Sequence, residues 1–235
     1  MKHEAFFRNH PVFTAKELDR HLSSIGKTGA RTRESLLNYH RKTGHVILVR
    51  RGLYAVIPQG ADSDSYPVDP LLVATKLTNN AVLSYHTALE VHGRAYSVRG
   101  HLTYSASGPV SPVRFRGLVF RGVRFPQALC RVGKENFGVI TVDRSGLDVP
   151  VTCLERTLVD VLDRPNLSGS WEEIWRSLES VEFFDLDRVV EYALLLGNAT
   201  TTAKVGFFLE QHRESLMIDD EHLKQLQDHK PRQPH

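Results

Sequence analysis

The sequence predicts an α/β (α+β) protein of two domains: a small helical module closed by a two-stranded ribbon, then a larger mixed α/β domain. Three observations carry that prediction. Arg41 to Ile57 (RKTGHVILVRRGLYAVI) reads as a helix end, a strand, a tight Arg51-Gly52 turn and a second strand, directly behind a basic, helix-patterned segment from about Ala30 to Thr43. Pro58 to Pro70 (PQGADSDSYPVDP) has the Pro, Asp, Ser and Gly content of a linker. Beyond it, strand-like and helix-like stretches continue to about Ile218. The expected boundaries are therefore 1–60 for the first domain, 61–70 for the linker, 71–218 for the second domain and 219–235 for a flexible tail. A chain of 235 residues, 41% hydrophobic and 24% charged, is long enough and apolar enough for two cores.

In the first domain, Phe6, Phe7 and Val12 are apolar residues in and just after a short helix. Thr14-Ala15-Lys16-Glu17 has the form of a capping box, in which the threonine caps a helix and the glutamate reaches back. Leu18 and Leu22 then share one face. Ser23 to Gly29 supplies a turn. The next helix is expected to turn Leu36, Leu37, Tyr39 and His40 inward. Its other face then carries Arg31, Glu34, Ser35, Asn38 and Lys42, with Arg33 at the edge. A helix of this kind followed by an arginine-tipped ribbon is the layout of a winged helix-turn-helix: one helix for a major groove, one wing beside a phosphate backbone. Arg31, Arg33, Ser35 and Asn38 are the expected base contacts, and Lys27, Lys42, Arg50 and Arg51 the expected phosphate contacts. Gly26-Lys27-Thr28 resembles the end of a phosphate loop, but the position five residues before Gly26 is His21 and no apolar strand precedes it.

The second domain opens with Asp69-Pro70-Leu71, a helix start with proline in the first turn. Helices are expected near 70–78 and 84–92, strands near 98–105, 113–125 and 137–142, and four further helices near 153–163, 171–180, 185–196 and 199–212. In Val113–Phe125 the odd positions Val113, Phe115, Val119, Val123 and Phe125 are apolar, as in a half-buried strand. Trp171 and Trp175, four apart, are expected in the helical core.

Charge is distributed unevenly. Residues 1–60 hold eleven Lys and Arg against four acids, a net of +7, while the whole chain is only +3. That asymmetry points to a polyanion partner for the first domain, because clustered cations supply non-specific DNA affinity. A second asymmetry lies between Val91 and Lys134, which contains eight basic residues and no acid. Arg94, Arg99, Arg114, Arg116 and Arg124 from this stretch form a candidate second basic surface, for nucleic acid or for an acidic partner.

Catalytic arrangements are weak by comparison. Ser84, His86 and His92 lie close together, but no G-x-S-x-G elbow is present and the histidines are six apart. Ser84 reads as a helix cap, and an Arg156–Asp160 pair as a structural i, i+4 contact. No enzyme activity, cofactor or metal site is expected. Cys130 and Cys153 have no metal-ligand pattern around them and read as reduced. The first residues lack the apolar core of a signal peptide and no run suits a membrane helix, so the expected location is the cytoplasm, at the nucleoid.

Several stretches are similar to a known family. FxxLDRHLS…LLNYHRKTGHVILVRRGLYAV, starting loosely at Phe13 with Glu17 in the gap, resembles the winged-helix segment of AbiEi-type antitoxins of type IV toxin–antitoxin systems. LSYHTALEVHG (83–93), VPVTCLERTLVDVLDRPNLSGSWEEIW (149–175) and YALLLGNATTTAKVGFFLEQH (192–212, with Lys204, Gly206 and Glu210) resemble segments of the family's second domain. The likeness covers roughly residues 10–215, and LERTLVD…RPNLSG with the later KVGFFLE is its most specific part. It implies a transcriptional autorepressor that binds inverted repeats in double-stranded DNA of its own promoter. It also implies an antitoxin countering a nucleotidyltransferase-like toxin, without a requirement for a stable complex. The residues taken alone leave two alternatives: a nucleic-acid-processing enzyme targeted by its winged helix, and a plain repressor whose second domain dimerises.

Overall fold

The computed structural model describes residues 3–231. The chain is α+β, with two sheets, and it divides into two compact units, Met1–Asn79 and Asn80–His235.

In the first unit the order is helix α1 (Glu4–Asn9), strand β1 (Val12–Thr14), helices α2 (Ala15–Ser24) and α3 (Ala30–Lys42), strands β2 (Val46–Arg50) and β3 (Leu53–Val56), and helix α4 (Pro70–Lys76). The three strands form an antiparallel sheet in the order β1-β3-β2. The capping box at α2 is present: the Glu17 amide donates to Thr14 Oγ1 at 3.3 Å and the Thr14 amide donates to Glu17 Oε2 at 2.7 Å. Helix α2 ends through a positive-φ Gly26, with Lys27 N–H reaching the Leu22 carbonyl, so the turn to α3 is shorter than the Ser23–Gly29 span expected. Phe6, Phe7, Phe13, Leu18, Leu22, Leu37 and Val46 make the core. Leu37 and His40 point inward as expected, but Tyr39 is 59% exposed. Successive helical residues turn by about 100°, so Tyr39 points away from the side that Leu37 and His40 share.

Helix α4 belongs to this first unit rather than opening the second. Asp69 caps it, accepting from Leu71 N at 2.9 Å, and it packs on β1. Lys76 pairs with Glu17, the residue that already serves the α2 cap. The Pro- and Ser-rich stretch read as an interdomain linker therefore lies inside unit one, and the division falls at 79/80. Composition marks exposed backbone but not which core a following helix joins.

The second unit is built on a six-stranded mixed sheet in the order β6-β7-β5-β4-β9-β8. Its strands are β4 (Val82–Leu83), β5 (His101–Ala106), β6 (Val113–Phe115), β7 (Leu118–Arg124), β8 (Val139–Asp143) and β9 (Asp148–Thr152). Strands β4 and β9 run parallel, as do β5 and β7; the remaining pairs are antiparallel. Helix α5 (His86–Val91) follows β4, α6 (Gln127–Val132) follows β7, and α7 (Leu154–Asp163) follows β9. Helices α8 (Trp171–Glu179), α9 (Leu186–Leu196), α10 (Ala199–Gln211) and α11 (Asp220–Gln227) complete it, with the apolar faces of α7, α9 and α10 forming one core.

Several expectations are corrected here. Val113–Phe125 is a hairpin, not one strand: Arg116 and Gly117 both take positive φ at its turn. The turn resets the alternation, and Phe120, an even position, is the fully buried residue. Strand β9 was missed because Pro150, which has no N–H, sits in its middle. The stretch 219–227, expected to be part of a flexible tail, is α11, whose Leu223 and Leu226 are buried against the α9–α10 pair. Residues 232–235 lie outside the described residues. Ser84 is not a helix cap: it is buried, with its hydroxyl 2.9 Å from that of Ser105, and Tyr85 with φ 58° holds the cap position of α5. Trp171 is 51% exposed; Trp175 packs against Phe208 and His212.

Candidate nucleic-acid interface

Helix α3 is amphipathic about Leu37 and His40, which seat it on the core. His40 packs edge-on to Phe7, and its Nδ1 lies 3.1 Å from His45 Nδ1. Burial, then the neighbouring His45 and His3, hold His40 below the ordinary histidine pKa. The seat of the helix is thus a neutral aromatic one. The opposite face is left to solvent and carries Arg31, Glu34, Ser35, Asn38 and Lys42, all exposed, with Lys27 exposed in the preceding turn. Nothing acidic lies in the first turn of α3, and its last turn holds His40, Arg41 and Lys42.

Two predicted contact residues are engaged within the protein. Arg33 Nη1 lies 2.5 Å from Asp19 Oδ2, tying α3 to α2. Arg50 donates through Nη2 to the Leu77 carbonyl, at the C-terminal end of α4, where a cation also meets the negative end of the helix. Arg51, one residue further into the turn, is exposed at the hairpin tip. The ribbon bulges between Leu48 and Arg50, and Arg50 is the last residue of β2 while Arg51 lies in the turn beyond it. Gly52 closes the two-residue turn at φ 81°, a conformation glycine adopts without strain.

The second set of predicted cations separates in the same way. Arg94 donates to the Ser180 carbonyl at 2.7 Å. Arg99 pairs with Glu173 at 2.6 Å, and Glu173 also receives the Ser97 hydroxyl and the Ser170 amide at the start of α8. These hydrogen bonds, the Ser170 amide first, hold the Glu173 carboxyl down at about 2. Arg94 and Arg99 therefore tie the 94–99 loop to α8. Arg114, Arg116 and Arg124 remain on the β6–β7 hairpin at the sheet edge, together with the exposed Arg121.

The histidines beside Ser84 serve the backbone. His86 Nε2 is 2.9 Å from the Ser97 carbonyl, and His92 Nε2 is 2.8 Å from that of Thr152. Arg156 and Asp160 do pair, at 3.3 Å, but deep inside: Arg156 is 0% exposed. Its Nη1 donates to the Glu135 and Phe137 carbonyls, and the Tyr192 hydroxyl donates to Asp160 Oδ1 at 2.6 Å. Burial pushes the Asp160 carboxyl up, against the pull of Arg156. This cluster joins α7, α9 and the segment between α6 and β8, and sequence spacing showed the pair but not its depth. Among the described residues no group of three or more His, Cys, Asp or Glu is placed to hold a metal, and no helix is long and apolar enough to cross a membrane.

No protein-family profile matches the chain, and no curated protein matches it. Among solved structures, the crystal structure of the Rv2827c protein from Mycobacterium tuberculosis is similar, with a TM-score of 0.56 at 16% identity. The match covers 98% of this chain and 80% of that one. At that identity the likeness is one of fold, and it spans both units.

Proposed function

We propose that the chain is a sequence-specific DNA-binding autorepressor with a winged helix-turn-helix in its first unit, and the antitoxin of a type IV, AbiE-like toxin–antitoxin pair. One observation carries the DNA reading: the solvent face of α3 presents Arg31, Ser35, Asn38 and Lys42 together, next in the chain to a hairpin tipped by Arg51. Arg31 and Asn38 have the donor and acceptor geometry for guanine and adenine edges. Lys27, Lys42 and Arg51 supply phosphate contacts, with Arg33 and Arg50 bracing the helix and the wing from within. The antitoxin role rests on the resemblance of 149–175 and 192–212 to that family, and the partner it implies is a nucleotidyltransferase-like toxin. The protein needs no catalytic residues for either role and acts in the cytoplasm, on its own promoter.

The test is a salt titration of binding to DNA upstream of this chain's start codon, against scrambled DNA of equal length. The expected preference is at least about a thousandfold. With these three phosphate contacts on each of two inverted half-sites, roughly six in all, the log–log salt slope is near −5. Equal affinity for both duplexes would overturn the repressor reading. Co-expression with the toxin encoded beside it tests the second role: growth is restored by the full chain and not by residues 1–79 alone.

A further inference from the structure

The hairpin of the second unit repeats, on another sheet, the device seen in the first. Strands β6 and β7 form the edge of the six-stranded sheet, joined by a two-residue turn at Arg116 and Gly117. Their register sets which cations share a face. Arg114 is opposite Val119 on β7, and Val119 is opposite His101 on β5. Arg121 is two residues beyond Val119, so His101, Arg114 and Arg121 lie on one face of three adjacent strands. Arg114 and Arg121 are both exposed.

The face has no apolar anchor. Val119 and Val123 between the arginines are partly covered, and no exposed large hydrophobic residue occurs from 101 to 124. A protein-docking patch is centred on buried aromatic or aliphatic anchors, and this surface offers none. Among the described residues no carboxylate pairs with Arg114, Arg121 or Arg124. Diagonal neighbours on antiparallel strands stand about 7–8 Å apart at the backbone, a spacing from which two extended arginines can meet successive anions in a row. Guanidiniums bind phosphate oxygens bidentately.

We infer that the β6–β7 hairpin is a second nucleic-acid contact, in which Arg114 and Arg121 bind successive phosphates of duplex DNA without reading its sequence. The inference extends the DNA-binding reading of the first unit but stands on residues of the second. His101 is its reporter. Burial, then Arg121, Arg99 and His86, hold its pKa down, with Glu90 opposing them. A phosphate seated on Arg121 would relieve that repulsion and raise it.

The experiment uses the full chain and a scrambled duplex, so that base reading by the first unit contributes nothing. Replacing both arginines (Arg114→Gln with Arg121→Gln) should flatten the log–log salt slope by about 1.8 and weaken binding about 30-fold at 0.15 M salt. Arg114→Lys with Arg121→Lys should keep the slope. The His101 imidazole, followed by NMR, should titrate at higher pH with DNA present in the parent and not in the glutamine variant. An unchanged slope together with an unmoved His101 would overturn the inference. If the double glutamine variant melts early, Arg114→Gln alone, on the edge strand, should show half the slope change, and no change there would overturn it too. Failure of the repressor reading is recognised separately, as no preference for native promoter over scrambled DNA. In that event the slope difference on scrambled DNA still decides the hairpin.

Discussion

Arg31 and Arg33 sit two residues apart on one helix, and the structure gives them different work. Arg31 is exposed, whereas Arg33 is held at 2.5 Å by Asp19, with a quarter of its side chain still in solvent. A partly exposed pair of this kind is worth about 0–1 kcal/mol. Arg33→Ala should therefore lower the melting temperature slightly, and Asp19→Asn should do the same. Arg31→Ala should leave the melt unchanged and cost about 1–3 kcal/mol of preference for the native promoter, the value of a lost base contact. If Arg33→Ala removed that preference while Arg31→Ala did not, the base-reading assignment would pass from one to the other. Sequence spacing puts Arg31 on the outward face of α3 and Arg33 at its edge; Arg31 is exposed there, while Arg33, four residues before the buried Leu37, turns to Asp19. Spacing could not see Asp19, fourteen residues away, because the pairing depends on how α2 crosses α3. The same holds for Arg50 and the Leu77 carbonyl, and for Arg99 and Glu173.

At the level of elements, what sequence showed best was the first sixty residues. The Thr14–Glu17 box, the basic helix and the Arg51-Gly52 hairpin are local devices, each settled by residues within a few positions. The elements it missed are short or atypical: β1 has three residues and β4 two, α6 has six, β9 contains Pro150, and α11 has only two leucines. Helix α11 is nevertheless part of the core, since Leu226 is 1% exposed and approaches Gly206 of α10. Deleting a buried leucine side chain costs about 2–5 kcal/mol. Leu226→Ala should destabilise the second unit by that order in urea unfolding, with Leu223→Ala close behind. The exposed neighbour Gln225→Ala should be neutral. A Leu226→Ala variant as stable as the parent would mean that α11 is an appendage and that the tail expectation was right after all.

For the whole molecule, the boundary is the feature that sequence composition located least well. A linker-like run at 58–70 invites a cut at 60, yet the first compact unit extends to Asn79. Three contacts explain the difference. Helix α4 packs on β1; Lys76 pairs with the Glu17 carboxylate that also closes the α2 cap; Arg50 caps the carbonyl end of α4 from the ribbon. Buried Leu72, Val73 and Ala74 give this helix an apolar face of its own. A fragment ending at residue 60 would expose that side of the sheet, leave Glu17 without Lys76 and release Arg50. A fragment ending at 79 keeps all three contacts. Fragment 1–79 should therefore unfold cooperatively, with a higher urea midpoint than fragment 1–60, and should hold Arg51 and α3 in a geometry that binds promoter DNA. Fragment 1–60 carries the same α3 face and the same Arg51, so any loss of affinity in it measures what α4 contributes to holding the β2–β3 ribbon. Equal midpoints and equal affinities would show that α4 only rests on the first unit, and would move the functional boundary back to the linker.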